Sequence, residues 1–223
     1  TGSNSNQVQI FDVVWGADSG GAAAGTWMAV GEQSSDQAVY RSRDGGQNWQ
    51  AITVPSGDSS VDVFTIASNG SGTWAFVHDD GFYLSTDDGA TFTKSTPFTM
   101  SIGNGIGYNK SNNTWIVSYF NSGAYRVRTC SGTDFTTWSD ETTITGTAGT
   151  FDDVATVGHF VRAYNGRVMI QPYSKANKAS RIAILDVNGT SISNLDTIQL
   201  GNNSNSKPIR CSATDGTTWL IGT

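Results

Sequence analysis

The stretch Ser42 to Trp49 reads SRDGGQNW, and STDDGATF follows at Ser85 to Phe92, forty-three residues later. Both fit Ser-x-Asp-x-Gly-x-x-aromatic. Asp44 and Asp87, at the third position, suit acceptance of backbone N–H bonds inside a tight turn. Gly46 and Gly89, at the fifth, suit a positive φ that a Cβ disfavours. Ser42 and Ser85 can add a further local bond. Trp49 and Phe92 are expected to return inward and pack against the neighbouring unit. On this reading the eight residues close a hairpin and their aspartates are structural. The competing reading gives the aspartates a calcium or catalytic role.

A second marker runs along the chain. Thr-Trp followed by apolar residues occurs at Trp27, Trp74, Trp115 and Trp219, with GRVMIQPY (Gly166 to Tyr173) in the long gap between the last two. Each marker follows Gly, Asn or Thr and precedes a third short apolar segment, then the octapeptide, then a fourth segment. The repeating unit is four short strands. The units span approximately residues 8–55, 61–97, 101–144 and 150–200, with a partial fifth at 207–223. In the third unit, SGTDFTTW (Ser131 to Trp138) keeps the ends of the octapeptide and loses its central Asp and Gly. In the fourth, Asn188-Gly189 offers a turn of its own. No segment combines helical periodicity with caps.

Repeated four-stranded antiparallel units of this size indicate an all-β fold, a β-propeller of four complete blades and part of a fifth. A blade has two apolar faces and must cover both, which curls the array into a ring. Two strands are missing from the last blade. The expectation is a single propeller domain or a segment of a longer polypeptide, with irregular closure or completion by a partner as the alternatives.

Composition agrees. Gly is abundant at 26 of 223 residues, Pro is scarce at 4, and charged residues make up 14%. A net charge of −6 argues against nucleic-acid binding, which needs clustered Lys and Arg. No apolar run is long enough for a membrane helix. Cys130 and Cys211 lack metal-ligand spacing and read as two buried thiols, with one long-range disulfide as the alternative.

The two octapeptides resemble Asp boxes, the repeats of sialidases and of many other propellers. The resemblance implies a blade-closing turn on the rim opposite the ligand face. It does not by itself imply catalysis. A sialidase-like enzyme needs an arginine cluster, a Tyr–Glu nucleophile pair and an acid/base Asp. Of the eight arginines, only Arg162 and Arg210 lie on inner first strands, where a channel could be lined. The only glutamates are Glu32 and Glu141. His78 and His159 are isolated and read as structural. GNGIG (Gly103 to Gly107) lacks the following helix of a nucleotide fingerprint. The acidic pairs at Asp79–Asp80 and Asp152–Asp153 read as loop residues, with a hard-cation site as the alternative. No cofactor is expected, and a bound calcium has no support.

The ligand face should carry the second-to-third-strand loops and the interblade loops. Its candidate binding residues are Asp79, Asp80, Phe98, Tyr119, Phe120 and Tyr173, which suit a sugar ring or a protein surface. The competing reading makes the aromatics caps on the core between blades. Three functions follow. The first is a non-catalytic binding or assembly module of a virion or secreted surface protein, by resemblance to phage tail proteins and bacterial exoproteins with Asp-box repeats. The second is a sialidase-like exo-glycosidase. The third is a structural subunit whose open ring is completed by a neighbouring chain. The expected setting is extracellular or on a virion. Five Asn-x-Ser/Thr sequons, starting at Asn69, Asn109, Asn112, Asn188 and Asn202, matter only in a eukaryotic secretory pathway.

Overall fold

The computed structural model describes residues 8–20, 25–33, 36–55, 63, 65–78, 81–100, 102–121, 124–132, 135–144, 161–164, 166–170, 180–189, 191–200, 211–214 and 218–222. Every regular element among them is a strand. Blade 1 holds β1 (Val8–Gly16), β2 (Thr26–Gln33), β3 (Asp36–Ser42) and β4 (Gln50–Ala51). Blade 2 holds β5 (Ile66–Ser68), β6 (Trp74–His78), β7 (Gly81–Ser85) and β8 (Thr93–Ser95). Blade 3 holds β9 (Ile102–Asn109), β10 (Thr114–Asn121), β11 (Ala124–Ser131) and β12 (Thr142–Thr143). Blade 4 holds β13 (Val161–Tyr164), β14 (Arg167–Ile170), β15 (Ser180–Asn188) and β16 (Ser191–Leu200). β17 (Cys211–Thr214) and β18 (Trp219–Gly222) form a two-stranded fifth sheet. Within each sheet the strands lie in chain order and all pairs are antiparallel. The fourth strands of blades 1 and 2, two and three residues long, begin just after the aromatic residue that ends each octapeptide.

Strand alternation sends successive side chains to opposite faces, and both faces of a blade are apolar. Met28 and Val30 of blade 1 meet Ile66, Trp74, Phe76 and Tyr83 of blade 2. The other face of blade 2, with Ala75, Val77 and Phe82, meets Ile106, Trp115, Val117 and Tyr119 of blade 3. Ile116, Tyr125 and Val127 then meet Val161, Val168 and Ile170 of blade 4. Met169 and Ile182 continue the series to Ile221 of the fifth sheet. The core is therefore a set of interfaces between blades, and Trp74 and Trp115 each point at the blade before them. Cys130 is a buried thiol at the interface of blades 2 and 3.

The two octapeptides form the same turn. Asp44 Oδ1 accepts bonds from Ser42 Oγ (2.8 Å), Gln47 N (3.0 Å) and Asn48 N (2.9 Å). Asp87 Oδ1 accepts from Ser85 Oγ (2.7 Å), Ala90 N (3.0 Å) and Thr91 N (2.9 Å). Ser42 and Ser85 each accept the amide of the fifth-position glycine at 3.0 Å. Gly46 and Gly89 have φ of 87° and 76°. The backbone and side-chain donors of Asn48 and the hydroxyl of Ser42 hold the Asp44 carboxyl down at about 2.

The aromatic ends differ. Phe92 is buried between blades 1 and 2. Trp49 was expected inside and instead stays on the surface at 39% exposure, its indole N–H donating to Gly46 O at 2.9 Å. No described sheet precedes blade 1 to receive it. The degenerate third copy keeps the turn by other means. Phe135 takes the glycine position at φ 50°, and Trp138 Nε1 donates to Phe135 O at 3.0 Å, as Trp49 does to Gly46. Phe135 is buried against Trp115, which offsets the cost of a left-handed non-glycine residue. In blade 4, Asn188 pairs with Ser191 and is the last residue of β15, so of the expected Asn188-Gly189 turn only Gly189 lies beyond the strand.

The second octapeptide also keys blade 2 to blade 1. Asp88 accepts from Ser19 N at 2.8 Å and Ser19 Oγ at 3.0 Å. A Cβ on Gly89 would lie 2.7 Å from Met28 Sδ, whereas one on Gly46 would meet nothing closer than 3.8 Å. Gly89→Ala should therefore lose stability beyond the left-handed backbone cost that Gly46→Ala shares, by about 1–3 kcal/mol of overpacking. Urea unfolding of both variants checks this, and equal losses would refute the wedge between blades. A second measurement concerns pH. The folded Asp44 pKa lies below its unfolded value, so its stabilisation is complete above the usual carboxylate range and is lost as pH falls through about 2. A carboxyl NMR titration of Asp44 should show its midpoint near 2; a midpoint near 4 contradicts the hydrogen-bonded turn.

Candidate functional site

The four first strands meet at the centre through short polar links. β1 carries a bulge between Ile10 and Asp12, where two residue steps oppose one on β2. This turns Asp12 onto the face shared with blade 2. Its Oδ2 accepts Ile66 N at 3.3 Å, and its Oδ1 accepts Arg162 Nη2 at 2.9 Å from blade 4. Thr65 Oγ1 accepts Ile106 N at 3.1 Å, linking blade 2 to β9. Gly107 abuts Val161, where a Cβ would sit 2.8 Å from Val161 Cγ1. Arg162, a candidate channel residue, is thus ion-paired across the centre with a buried aspartate that sequence reading did not single out. Arg210 lies outside the described residues.

A second polar cluster lies at the edge of blade 3. Tyr119 Oη donates to Glu141 Oε2 at 2.6 Å and accepts from Arg128 Nε at 2.9 Å. Arg128 Nη1 donates to Ser139 O at 2.6 Å, and its guanidinium lies 4.8 Å from the Phe98 ring centroid. Arg126 Nε stands 3.3 Å from Glu141 Oε1 as an ion pair without hydrogen-bond alignment. Arg126 also bonds Thr143 Oγ1. A tyrosine, a glutamate and two arginines therefore converge, with the residue types of a Tyr–Glu nucleophile pair. Burial, and then the Glu141 hydrogen bond, push the Tyr119 hydroxyl far above the ordinary phenol range, against the opposing pull of Arg128. A nucleophilic phenolate needs the reverse shift.

Tyr119 and Phe120 were expected in a loop. β10 continues through Asn121, so both belong to a strand. Tyr119 is 0% exposed, and a ligand arriving at this face does not meet its ring. Phe98 is half-buried, 5.2 Å from the Tyr119 ring and 5.2 Å from Phe82. Phe120 leans edge-on against Tyr125 at 5.4 Å and packs on the core between blades 3 and 4. Three of the four candidate aromatics thus contribute to packing, and the structure brings Phe98 and Tyr119 together. Asp79, Asp80 and Tyr173 lie outside the described residues. His78 is buried edge-on to Tyr83 at 6.1 Å.

Sequence reading missed Glu141 as the partner of Tyr119, since twenty-two residues separate them and no motif joins them. Their pairing depends on β12 lying beside β11, with Arg126 opposite Thr143. On the octapeptide rim, an open cleft of about 360 Å³ is lined by Arg41, Arg43, Asp44, Asn48, Trp49 and Gln50. Arg43 there pairs with Asp18 at 2.7 Å. Burial raises Asp18, but the Thr26 hydroxyl and the Arg43 guanidinium outweigh it and leave its carboxyl below the usual range. Burial, and then the neighbouring Arg43, lower Arg41.

No protein-family model and no curated protein matches the chain. Solved structures do match. An ancestral GH74 enzyme aligns with a TM-score of 0.56 at 15% identity, over 86% of this chain and 27% of that one. YCF48 bound to D1 peptide aligns with a TM-score of 0.50 at 13% identity, over 95% of this chain and 63% of that one. A NanB sialidase from Streptococcus pneumoniae aligns with a TM-score of 0.50 at 17% identity, over 70% of this chain and 27% of that one. The fold is a β-propeller. These identities speak for architecture alone, and the chain spans between 27% and 63% of the length of these propellers. They include enzymes and a peptide-bound propeller, so the fold does not choose between catalysis and binding.

Removing the Tyr119 hydroxyl tests the edge cluster. Tyr119→Phe should destabilise the protein by about 1–3 kcal/mol, because Glu141 and Arg128 each lose a charge-assisted partner. Denaturant unfolding measures it. A neutral substitution would show that the cluster does not hold blade 3.

Proposed function

We propose that this propeller is a non-catalytic binding and assembly module of a virion or secreted surface protein, with a glycan or protein surface as its partner. One observation carries the reading. The charged groups that converge among the described residues satisfy one another, Asp12 with Arg162 and Glu141 with Tyr119, Arg126 and Arg128. A glycosidase centre instead needs carboxylates turned to an open cleft, with arginines available to a substrate. Low charge and loops rich in Gly, Ser, Thr and Asn support an extracellular setting. The half-buried Phe98 and the loops of the same face are the proposed contact region, with Asp79, Asp80 and Tyr173 as its further members.

A second reading, a sialidase-like exo-glycosidase, is favoured by the Tyr119–Glu141 hydrogen bond at 2.6 Å beside two arginines. Burial of the phenol weighs against it. A panel of fluorogenic exo-glycosides, sialosides included, should give no release above buffer, while a glycan array or a surface-protein panel gives saturable binding. Turnover that disappears in Tyr119→Phe would replace the binding reading with the enzymatic one.

A further inference from the structure

The first strands of consecutive blades are linked to one another at the centre. Asp12 of β1 accepts Ile66 N of β5. Thr65, just ahead of β5, accepts Ile106 N of β9. Gly107 of β9 abuts Val161 of β13. These three links follow the order of the chain, and the fourth does not. Asp12 Oδ1 accepts Arg162 Nη2 of β13 at 2.9 Å, which joins blade 1 to blade 4 past the two blades between them. The four first strands therefore form a closed circuit.

The apolar contacts make no such circuit. Clusters join blade 1 to blade 2, blade 2 to blade 3, and blade 3 to blade 4. Among the described residues none joins blade 1 to blade 4. An array held only between neighbours is quasi-one-dimensional, and each unit opens against its own contacts and those of its neighbours. A contact between units that are not neighbours removes that independence. Blade 4 cannot swing away from blade 3 without parting Arg162 from Asp12.

The chemistry of the pair makes that parting unfavourable. Asp12 is 8% exposed and the Arg162 side chain 26%. A carboxylate so enclosed persists only with partners, and losing one of them strands the other charge. Asp12 uses both oxygens, one towards blade 2 and one towards blade 4. Arg162 Nη1 also donates to Val161 O at 3.4 Å, which steadies the guanidinium while Nη2 reaches across the axis. The bulge in β1 sets the register that turns Asp12 inward.

We propose that Asp12 and Arg162 form an axial clasp, a conformational device that couples blade 4 to blade 1 and makes the four blades open as one unit. The clasp stands apart from the contact region around Phe98 and does not depend on the binding function proposed above.

Hydrogen exchange measured blade by blade tests it. Asp12→Asn keeps an acceptor for Ile66 N and removes the charge that Arg162 pairs with. Arg162→Met keeps an unbranched apolar stem and removes the guanidinium. In the wild type, the slowest amides of β2, β6, β10 and β14 should share one exchange rate. In each variant the β14 and β15 amides should exchange at least about tenfold faster than those of β6 and β10, the size of one charge-assisted hydrogen bond. The double variant should show the same ratio as either single one, since both remove the same contact. Acceleration by an equal factor in all four blades overturns the proposal, because the pair then adds stability without coupling. Acceleration confined to blades 1 and 2 overturns it as well, as does a wild type in which blade 4 already exchanges ahead of the others by that margin.

Discussion

Blades 2 and 3 each bury a tryptophan-bearing face on the sheet before them, and the arrangement of the rest of the described chain follows from contacts of that kind. Trp74 and Trp115 are wholly enclosed. A buried aromatic removes roughly 150–250 Å² from water, which at ~25 cal/mol/Å² contributes about 4–6 kcal/mol before entropy is counted. The indole N–H of each finds no acceptor, a cost of about 1–3 kcal/mol. Burial outweighs it. A four-stranded sheet with two apolar faces cannot be stable alone, so each blade depends on its neighbours. Among the described residues no sheet lies on the leading side of blade 1, and Trp49 there is on the surface while Phe92, at the same place in its own turn, is buried.

Apolar faces between blades leave two places for charge, the centre and the outer edge, and in both the charges pair with each other. At the centre, a one-residue bulge turns Asp12 from the outward face to the inward one, where it takes an amide from blade 2 and a guanidinium from blade 4. At the edge of blade 3, Glu141 gathers a phenol and two guanidinium groups. The second cluster has the residue types of a catalytic pair in the wrong surroundings. A phenol sealed by Phe98 and its own blade holds its proton more tightly, not less.

Some of this was legible in the chain and some was not. The octapeptides announced their turns because Ser, Asp and Gly act within five residues of each other. The third copy looked lost, since its third and fifth positions hold Thr133 and Phe135 in place of Asp and Gly, yet Phe135 keeps the left-handed position by burying its ring on Trp115. Tyr119 and Phe120 read as loop aromatics because Asn121 and the Ser and Gly after it resemble a turn; the pairing of β10 with β11 carries the strand past them to Asn121. Asp12 carried no signal, because a bulge is set by register and not by composition. Glu141 carried none either, because its partners lie on two strands, Tyr119 on β10 and Arg126 and Arg128 on β11.

The sequence alone determined the all-β class, the four-strand unit and its repeat, since alternation, turn chemistry and spacing are local properties read over a few residues. Only the tertiary structure decided which polar groups meet. Asp12 and Arg162 stand 150 residues apart, and what joins them is the curl of the array, which packs sheet on sheet and draws the first strands together. The same curl decided which apolar residues stay in contact with water. Val13 and Val30 are alike in chemistry and lie on strands of one blade, but among the described residues only Val30 has a sheet upon it.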